Sequence, residues 1–293
     1  MTQDVNALLI FCEGPQDISF VRHVMECFLG FERAELKFSD FPSPLNQLFP
    51  NSILQHAAKD LSLDMAHKFF LPDRVMVNKD QMALLFNTGG KTQSDKVKLL
   101  LTTFLPLLAQ AAVFQQNAPS VIRKARYLFL YDADHMGFDE VLNKFIKEFS
   151  EIDGSPWLQK EWIIDKVNPF AACAGDQALY IWGETHKCGT LEDILMVLFE
   201  QSEPILIQKA INAVDQMFTW DTTSVSIKTS IAEKANRKKA IITVAGQQKK
   251  PGMSMNVILD QAKLIRQEVF EVDKHVQSFV AFLSKFFEPL AKP

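Results

Sequence analysis

Short apolar runs alternate with amphipathic segments along the first half of the chain. Residues 7–13 form the first apolar run and predict a buried strand. Gly14-Pro15 then turns the chain, and Pro15 suits a first helical position because its missing N–H is not needed there. Over 16–29 the spacing predicts an amphipathic helix, with its apolar face formed by Ile18, Val21, Val24, Met25 and Phe28.

Two further apolar runs repeat this arrangement. Residues 82–86 predict a second strand followed by a helix over about 93–115, and residues 126–131 predict a third strand. The helix after the third strand has one apolar face, formed by Phe138, Val141, Leu142, Phe145 and Phe149. Shorter strands are predicted at 162–165 and 178–182. Strands that alternate with helices indicate a mainly parallel sheet.

Two regions depart from the alternation. Proline-containing turns break residues 38–78, and 51–69 predicts a helix of mixed polarity, so this region is predicted to be a helical insert. From Leu191 onward the pattern is mostly helical, with helices near 191–200, 204–217, 227–245 and 254–286. The predicted fold class is α/β, with a mainly parallel sheet flanked by helices, one domain over 1–250 and a C-terminal helical extension over 251–293.

The composition is that of an ordinary globular protein. The 293 residues are 47% apolar and 23% charged, which allows one large domain or two modest ones. The net charge of −4 argues against a chain that coats nucleic acid or membrane with its whole surface, but leaves a local basic groove open. The four cysteines are scattered, which predicts neither a disulfide framework nor a structural zinc site.

The sequence predicts no membrane span and no secretory signal. The longest apolar stretch, residues 99–114, is interrupted by polar residues and Pro106, and it is shorter than the roughly 18 to 20 residues that cross a bilayer. Residues 1–6 contain no basic segment of the kind that begins a secretory signal. We therefore expect a cytosolic protein with no membrane partner.

Acidic residues end two of the predicted strands. Glu13 is the last residue of the first predicted strand, and Asp132 and Asp134 follow the third. In an open parallel sheet the carboxyl ends of the strands share one edge, so the Gly89-Gly90-Lys91 segment after the second strand should lie there too. Two carboxylates two residues apart in extended chain point the same way and repel each other unless a cation lies between them. Mg²⁺ is the natural candidate. The alternative is that these acids only solvate strand ends and cap helices.

Two phosphate-related motifs are incomplete. The Gly89-Gly90-Lys91-Thr92 segment would be a P-loop only with Gly at position 85, where this chain has Leu85. The Asp132-x-Asp134 pair is similar to that of haloacid-dehalogenase phosphatases, but those have Thr or Val where Met136 stands. Neither motif defines a function by itself.

Acids at two predicted helix starts have a structural explanation. Thr190 and Asp193 fit a capping box, and acids in a first helical turn suit the helix dipole. The same holds for Asp17 in the first helix.

Positive charge is concentrated in residues 225–250. This segment has one acid, Glu233, against Lys228, Lys234, Arg237, Lys238, Lys239, Lys249 and Lys250. In a net-acidic protein it is the segment best suited to contact phosphates. A solvated helix face is the alternative. The candidate nucleic-acid-binding residues are Lys91, Lys234, Arg237, Lys238 and Lys239.

Together these motifs resemble the Toprim domain, the metal-dependent catalytic module of type IA and type II topoisomerases, bacterial primases and OLD-family nucleases. The segment Glu13-Gly14-Pro15-Gln16-Asp17 is similar to the strand-end E-G-x-x-D of that family, and Asp132-Ala133-Asp134 is similar to its later D-x-D. The closer likeness is to OLD-family-type nucleases and to small stand-alone Toprim-like proteins of uncharacterised function. Nucleases of that branch add an acid and a C-terminal lysine, which Glu192 and Lys239 resemble. The likeness is specific over 7–145 and looser over 180–245.

The resemblance implies a divalent-metal-dependent nuclease that hydrolyses DNA or RNA with Mg²⁺ or Mn²⁺. It implies Glu13 and Lys239 as catalytic residues, and as metal ligands Glu13, Asp17, Asp132, Asp134 and Glu192. No Walker A motif is present, so an ATP-driven machine of the OLD type would need a separate ATPase chain. All three tyrosines fall in apolar strand-like runs, which argues against topoisomerase chemistry, and the chain lacks the zinc-binding module expected of a primase.

Two other functions stay open on the sequence. One is a non-catalytic or partner-activated nucleic-acid-binding regulatory protein with a Toprim fold, acting in defence against phage. The other is a phosphatase or nucleotide hydrolase that uses the same metal site. The choice between DNA and RNA is open, and so is the oligomeric state, with a homodimer as one option.

Overall fold

An eight-stranded sheet forms the centre of the protein. The computed structural model describes residues 3–57, 70–90, 93–114, 120–158, 161–166, 168–183, 185–220 and 226–287. The strands in chain order are β1 (Gln3–Cys12), β2 (Glu32–Arg33), β3 (Arg74–Asn78), β4 (Gln81–Asn87), β5 (Ser120–Asp132), β6 (Glu151–Ile152), β7 (Ser155–Pro156), β8 (Ile163–Ile164), β9 (Ala171–Ala174) and β10 (Gln177–Trp182). The helices are α1 (Pro15–Phe28), α2 (Leu45–Ala57), α3 (Ser94–Phe114), α4 (Gly137–Phe149), α5 (Leu191–Ser202), α6 (Pro204–Met217), α7 (Ile227–Gly246), α8 (Met255–Gln261), α9 (Gln267–Val272) and α10 (Lys274–Phe287).

The four central strands of the sheet are parallel. The strand order is β2-β3-β4-β1-β5-β10-β9-β8, with β6 and β7 forming a separate hairpin. Strand β1 pairs in parallel with β4 and β5, and β5 pairs in parallel with β10. The strands outside this group pair antiparallel to their neighbours. The predicted α/β class with a mainly parallel central sheet and flanking helices is confirmed.

Helices cover both faces of the sheet. Alternate residues of β1 divide between two buried clusters, Leu8 and Ile10 in one and Leu9 and Phe11 in the other. The first cluster is completed by α1 and by apolar residues of α5 to α10, and the second by α2, α3 and α4. The helices after residue 250 therefore share a buried cluster with β1 and α1.

The predicted helical insert over 38–78 is only partly helical. Residues Phe38–Asp40 form a short 3₁₀ helix and α2 follows, while 58–69 lie outside the described residues. Residues 74–78 form β3, which pairs antiparallel with β4 across Lys79 and Asp80. Lys79 has φ of 54°, the left-handed conformation of a tight turn. Residues 74–78 form a strand because they pair with β4 across this hairpin, and helical periodicity in the sequence does not indicate such pairing.

The single helix predicted over 254–286 is three helices. The chain leaves α8 at Lys263, which has φ of 49°, and α9 ends before Asp273. The Asp273 carboxylate accepts hydrogen bonds from the backbone N–H groups of His275 and Val276, at 2.9 and 3.1 Å. These bonds satisfy N–H groups at the start of α10, so Asp273 begins a new helix. Apolar residues keep a helical spacing across the breaks between α8 and α9 and between α9 and α10, and this spacing therefore predicts a single helix.

In the part of the chain that the structure describes, no helix combines the length and the apolar character needed to cross a bilayer. All four cysteines are free thiols.

Candidate functional site

The carboxyl ends of the central strands meet at one edge of the sheet. Cys12 at the end of β1 lies beside Asn87 of β4 and Leu130 of β5 in the strand register. The Thr88 N–H donates to the Cys12 carbonyl at 2.9 Å, and the Ala133 N–H donates to the Trp182 carbonyl at 2.7 Å. The residues that directly follow β1, β4, β5 and β10 are therefore neighbours, as the prediction of a shared edge requires.

Glu13 and Asp132 are in direct contact at this edge. Glu13 Oε2 accepts a hydrogen bond from the backbone N–H of Asp132 at 3.2 Å. Asp132 Oδ1 in turn accepts from the backbone N–H of Leu191, the first residue of α5, at 2.8 Å. Because the first N–H groups of a helix have no intrahelical partner and carry partial positive charge, they favour an ionised carboxylate. These two hydrogen bonds link the end of β1 to the end of β5, and the end of β5 to the start of α5, through two acidic side chains.

Asp17 and Asp193 cap two helices in the same way. Asp17 Oδ2 accepts from the Gly14 N–H at 2.8 Å at the start of α1, and Asp193 Oδ2 accepts from the Thr190 N–H at 2.7 Å at the start of α5. The predicted capping roles of both residues are confirmed. Capping alone leaves the burial of Asp17 unexplained, since an N-terminal helix cap works equally well in water.

The electrostatic environment of Asp17 is that of a crowded carboxylate site. The side chain is buried, and burial together with the nearby charges of Glu13 and Glu192 raises the pKa of Asp17 to about 8. The hydrogen bond from Gly14 acts in the opposite direction. The carboxyl groups of Glu13 and Glu192 are therefore close enough to disfavour the ionisation of Asp17, and a cation among the three side chains would relieve that repulsion.

Glu192 brings Lys239 of α7 to the same edge. Glu192 is buried, and Lys239 Nζ lies 3.3 Å from its Oε1. Its Oε2 is also buried and has no hydrogen-bond partner among the described residues. Burial would lower the pKa of Lys239, but the charge of Glu192, with those of Asp132 and Asp17, outweighs this and raises it. Lys239 therefore lies within the electrostatic influence of Glu192, Asp132 and Asp17.

Asp134 is held differently from Asp132. Its φ of 49° lies in the left-handed region, which Asp adopts more readily than most residues. Its backbone N–H and C=O bond to Gly189 at 2.7 and 3.0 Å, so the chain has already left the extended conformation. Asp134 therefore does not continue the extended chain from which a shared direction with Asp132 was expected, and the contribution of Asp134 to a metal site stays a prediction.

The donor atoms suit a hard divalent cation although no cage is preformed. Across the described ranges, no three His, Cys, Asp or Glu side chains are grouped closely enough to be recognised as a metal site. The oxygen chemistry nevertheless fits Mg²⁺, which takes few carboxylates and keeps several waters. Two observations favour a cation here: the buried Glu192 oxygen has no donor in the described part of the chain, and the pKa of Asp17 is raised.

Three of the five residues predicted to bind nucleic acid form ion pairs with carboxylates of this chain: Arg237, Lys238 and Lys239. Lys238 forms an ion pair with Asp193, and Arg237 donates two hydrogen bonds to Asp215 of α6, at 2.7 and 2.6 Å. Lys234 is exposed on the same helix, and Lys91 lies outside the described residues. Asp215 lies 22 residues from Arg237, so no local pattern predicts their contact, and the capping box predicts only the helix-capping role of Asp193.

The fold and the site define an α/β protein with a carboxylate-rich edge at the ends of its parallel strands. The chain belongs to the family described as "Protein of unknown function (DUF3226)", whose model matches residues 8–288. No curated protein matches the chain. Among solved structures, it is similar to the hypothetical protein PH0156 from Pyrococcus horikoshii OT3, with 14% identity, 96% of this chain and 95% of that chain covered, and a TM-score of 0.47.

Proposed function

We propose that this protein is a divalent-metal-dependent nuclease that hydrolyses phosphodiester bonds of DNA or RNA at a Toprim-like active site. The observation that carries the proposal is the group of four carboxyl residues at one sheet edge, Glu13, Asp17, Asp132 and Glu192, with the Lys239 ammonium beside Glu192. Carboxylates that repel one another and a cationic side chain next to them suit a metal and a phosphate together.

The metal would be held by the acidic side chains. Glu13, Asp132 and Asp134 would hold one Mg²⁺ or Mn²⁺, and Asp17 and Glu192 would help to hold a second. When bound, such a cation supplies Lewis-acid stabilisation of the phosphoryl oxygens and lowers the pKa of bound water. The backbone N–H groups of Asp132 and Leu191 bind Glu13 Oε2 and Asp132 Oδ1 and so orient these two ligands.

Lys239 would act on the phosphoryl group directly. Its raised pKa keeps the ammonium charged at neutral pH, and about 44% of the side chain is exposed, so a substrate phosphate can reach it. A fixed positive charge beside the scissile phosphate stabilises negative charge that develops in the transition state.

The test is cleavage of plasmid DNA, single-stranded DNA and RNA with Mg²⁺ or Mn²⁺. Glu13→Gln and Asp132→Asn each retain an acceptor oxygen for the hydrogen bonds at 3.2 and 2.8 Å, so both variants should fold. We expect each to lose activity on the order of 100-fold or more. Asp139→Asn, which removes an exposed carboxylate of α4, is the matched control and should retain full activity. Equal cleavage by all four proteins would identify a contaminant and reject the proposal.

A second candidate is a non-catalytic or partner-activated nucleic-acid-binding protein, with a regulatory role or a role in phage defence. Its support is that Arg237, Lys238 and Lys239 are engaged by carboxylates, an arrangement that a separate ATPase or a second copy of the chain could release. Such a protein would bind nucleic acid with salt-sensitive affinity whether or not Glu13 and Asp132 are neutralised. Hydrolysis of small phosphoesters in the same assay would instead indicate a phosphatase. The four free thiols are in keeping with a cytosolic location.

A further inference from the structure

A cavity of about 680 Å³ lies where the end of α6 approaches α7. Its walls include the aromatic residues Phe218 and Trp220, three cationic residues of α7 (Lys234, Arg237 and Lys238), and Asp215 of α6. We call it the aromatic-basic pocket. Two aromatic rings line it, and its three cationic side chains face one carboxylate, so its walls carry an excess of positive charge.

The aromatic residues of the pocket are available for contact. Phe218 directly follows α6 and is 52% exposed, a high value for a phenylalanine. Its ring centroid lies 5.8 Å from that of Trp220, and the planes are inclined by 62°. The Trp220 Nε1 donor is buried and has no acceptor within the described ranges. An exposed ring beside a second, half-buried ring offers a face on which a planar group can stack.

The pocket adjoins the carboxylate edge through consecutive residues of α7. Lys238 lines the pocket and pairs with Asp193, and the next residue, Lys239, pairs with Glu192. A ligand in the pocket would therefore have its phosphates close to the proposed active site. Double-stranded nucleic acid keeps its bases inside the helix, whereas a single strand presents both a base face and a backbone phosphate to such a surface.

We infer that the aromatic-basic pocket binds a single-stranded segment of the nucleic-acid substrate, with a base stacked on Phe218 and backbone phosphates on Lys234 and Arg237. This inference rests on the proposed nuclease function and adds the substrate class. The ion pair between Arg237 and Asp215 would open as the phosphate replaces the carboxylate, since both are partners for a bidentate guanidinium.

Fluorescence anisotropy of labelled oligonucleotides tests the inference directly. The full chain carrying Glu13→Gln is used in EDTA, so that cleavage cannot contribute, with thymidine or uridine oligomers of about 12 nucleotides and a duplex of equal length. We expect Phe218→Ala to weaken single-strand binding roughly tenfold. Ile205→Ala removes another exposed apolar residue, from α6 but outside the pocket, and should leave the affinity unchanged.

Two charge variants give opposite expected results. Lys234→Ala should weaken binding and reduce the slope of log affinity against log salt by about 0.7. Asp215→Asn should tighten binding several-fold, because it removes a competing carboxylate from Arg237; a merely structural ion pair would give no gain. Equal affinities of Phe218→Ala and Ile205→Ala, or a duplex that binds as well as the single strand, would overturn the inference.

The outcomes separate this inference from the nuclease proposal. If the oligonucleotide binds as expected and the parent chain cleaves no substrate, the nuclease proposal fails while the pocket stands. If the parent chain cleaves and Phe218→Ala changes neither KM nor affinity, the pocket inference fails while the nuclease proposal stands.

Discussion

Lys239 and Glu192 form an ion pair that joins a half-exposed ammonium to a buried carboxylate, with 3.3 Å between Nζ and Oε1. The lysine side chain is 44% exposed and the glutamate side chain only 5%. The second oxygen of Glu192 has no donor within the described part of the chain. Lys239 is therefore the side chain that compensates the buried charge of Glu192 when no metal is bound.

Lys239→Met should destabilise the metal-free protein. The substitution leaves the buried Glu192 carboxylate without its cationic partner. We therefore expect the free energy of unfolding to fall by about 1 to 2 kcal/mol. This loss is smaller than that for a fully buried ion pair because Lys239 is half-exposed. Urea unfolding in EDTA measures the change. Lys234→Met, an exposed position on the same helix, should change stability little, and adding Glu192→Gln to Lys239→Met should restore most of the loss. Equal stability of the two lysine variants would contradict the pairing.

Asp17 should make the stability of the metal-free protein pH-dependent. Its pKa rises from 3.8 to about 8 in the folded state, so the folded chain holds a proton that the unfolded chain releases. Stability from this group is complete below pH 3.8, falls between 3.8 and about 8, and changes no further above that range. Asp17→Asn retains an acceptor for the Gly14 N–H and cannot ionise. The difference in unfolding free energy between variant and parent should therefore grow from pH 5 to pH 8.

The matched comparison for this pH effect is Asp139→Asn, which removes an exposed acid of α4. Urea unfolding of the three proteins in EDTA, at intervals across that pH range, measures the slopes. A parent and an Asp17→Asn variant with parallel stability profiles would show that Asp17 is ionised in the folded protein throughout.

Magnesium should stabilise the folded chain through the carboxylate edge. A ligand that binds only the folded state, at 10 to 100 times its Kd, adds about 1 to 3 kcal/mol. We expect Tm to rise with Mg²⁺ or Mn²⁺ for the parent and for Asp139→Asn, and to rise much less for Asp132→Asn and Glu192→Gln. Thermal unfolding across a metal titration measures this. An equal rise in all four proteins would place the bound cation elsewhere.

The strand ends could be predicted from sequence because they follow from local pattern and topology. The run of apolar residues before Glu13 and the run before Asp132 each require a buried strand, and the parallel order then brings their ends to one edge. The backbone conformation of Asp134 could not be predicted in this way. It is left-handed and depends on the bridge to Gly189, 55 residues further along the chain. The same applies to Arg237, whose partner Asp215 lies on another helix. Pairings of this kind depend on tertiary packing, which no periodicity records.

Gly137 should be needed for the close approach of two loops at the carboxylate edge. It has φ of 76°, and a Cβ there would lie 2.9 Å from the His186 carbonyl oxygen and 3.0 Å from that of Lys187. The adjacent Phe138 N–H donates to the His186 carbonyl at 2.8 Å. This contact positions the segment that leads to α5, whose first residue, Leu191, donates its N–H to Asp132.

The control variant for Gly137→Ala is Gly154→Ala. Gly154 has φ of 72° and nothing within 4 Å of an added Cβ, so the substitution introduces similar backbone strain without the collision. We expect Gly137→Ala to cost about 1 to 3 kcal/mol more than Gly154→Ala in urea unfolding, and to reduce metal-dependent cleavage as the Asp132 carboxylate loses its fixed position. Equal losses of stability in the two variants would show that the loops separate without cost.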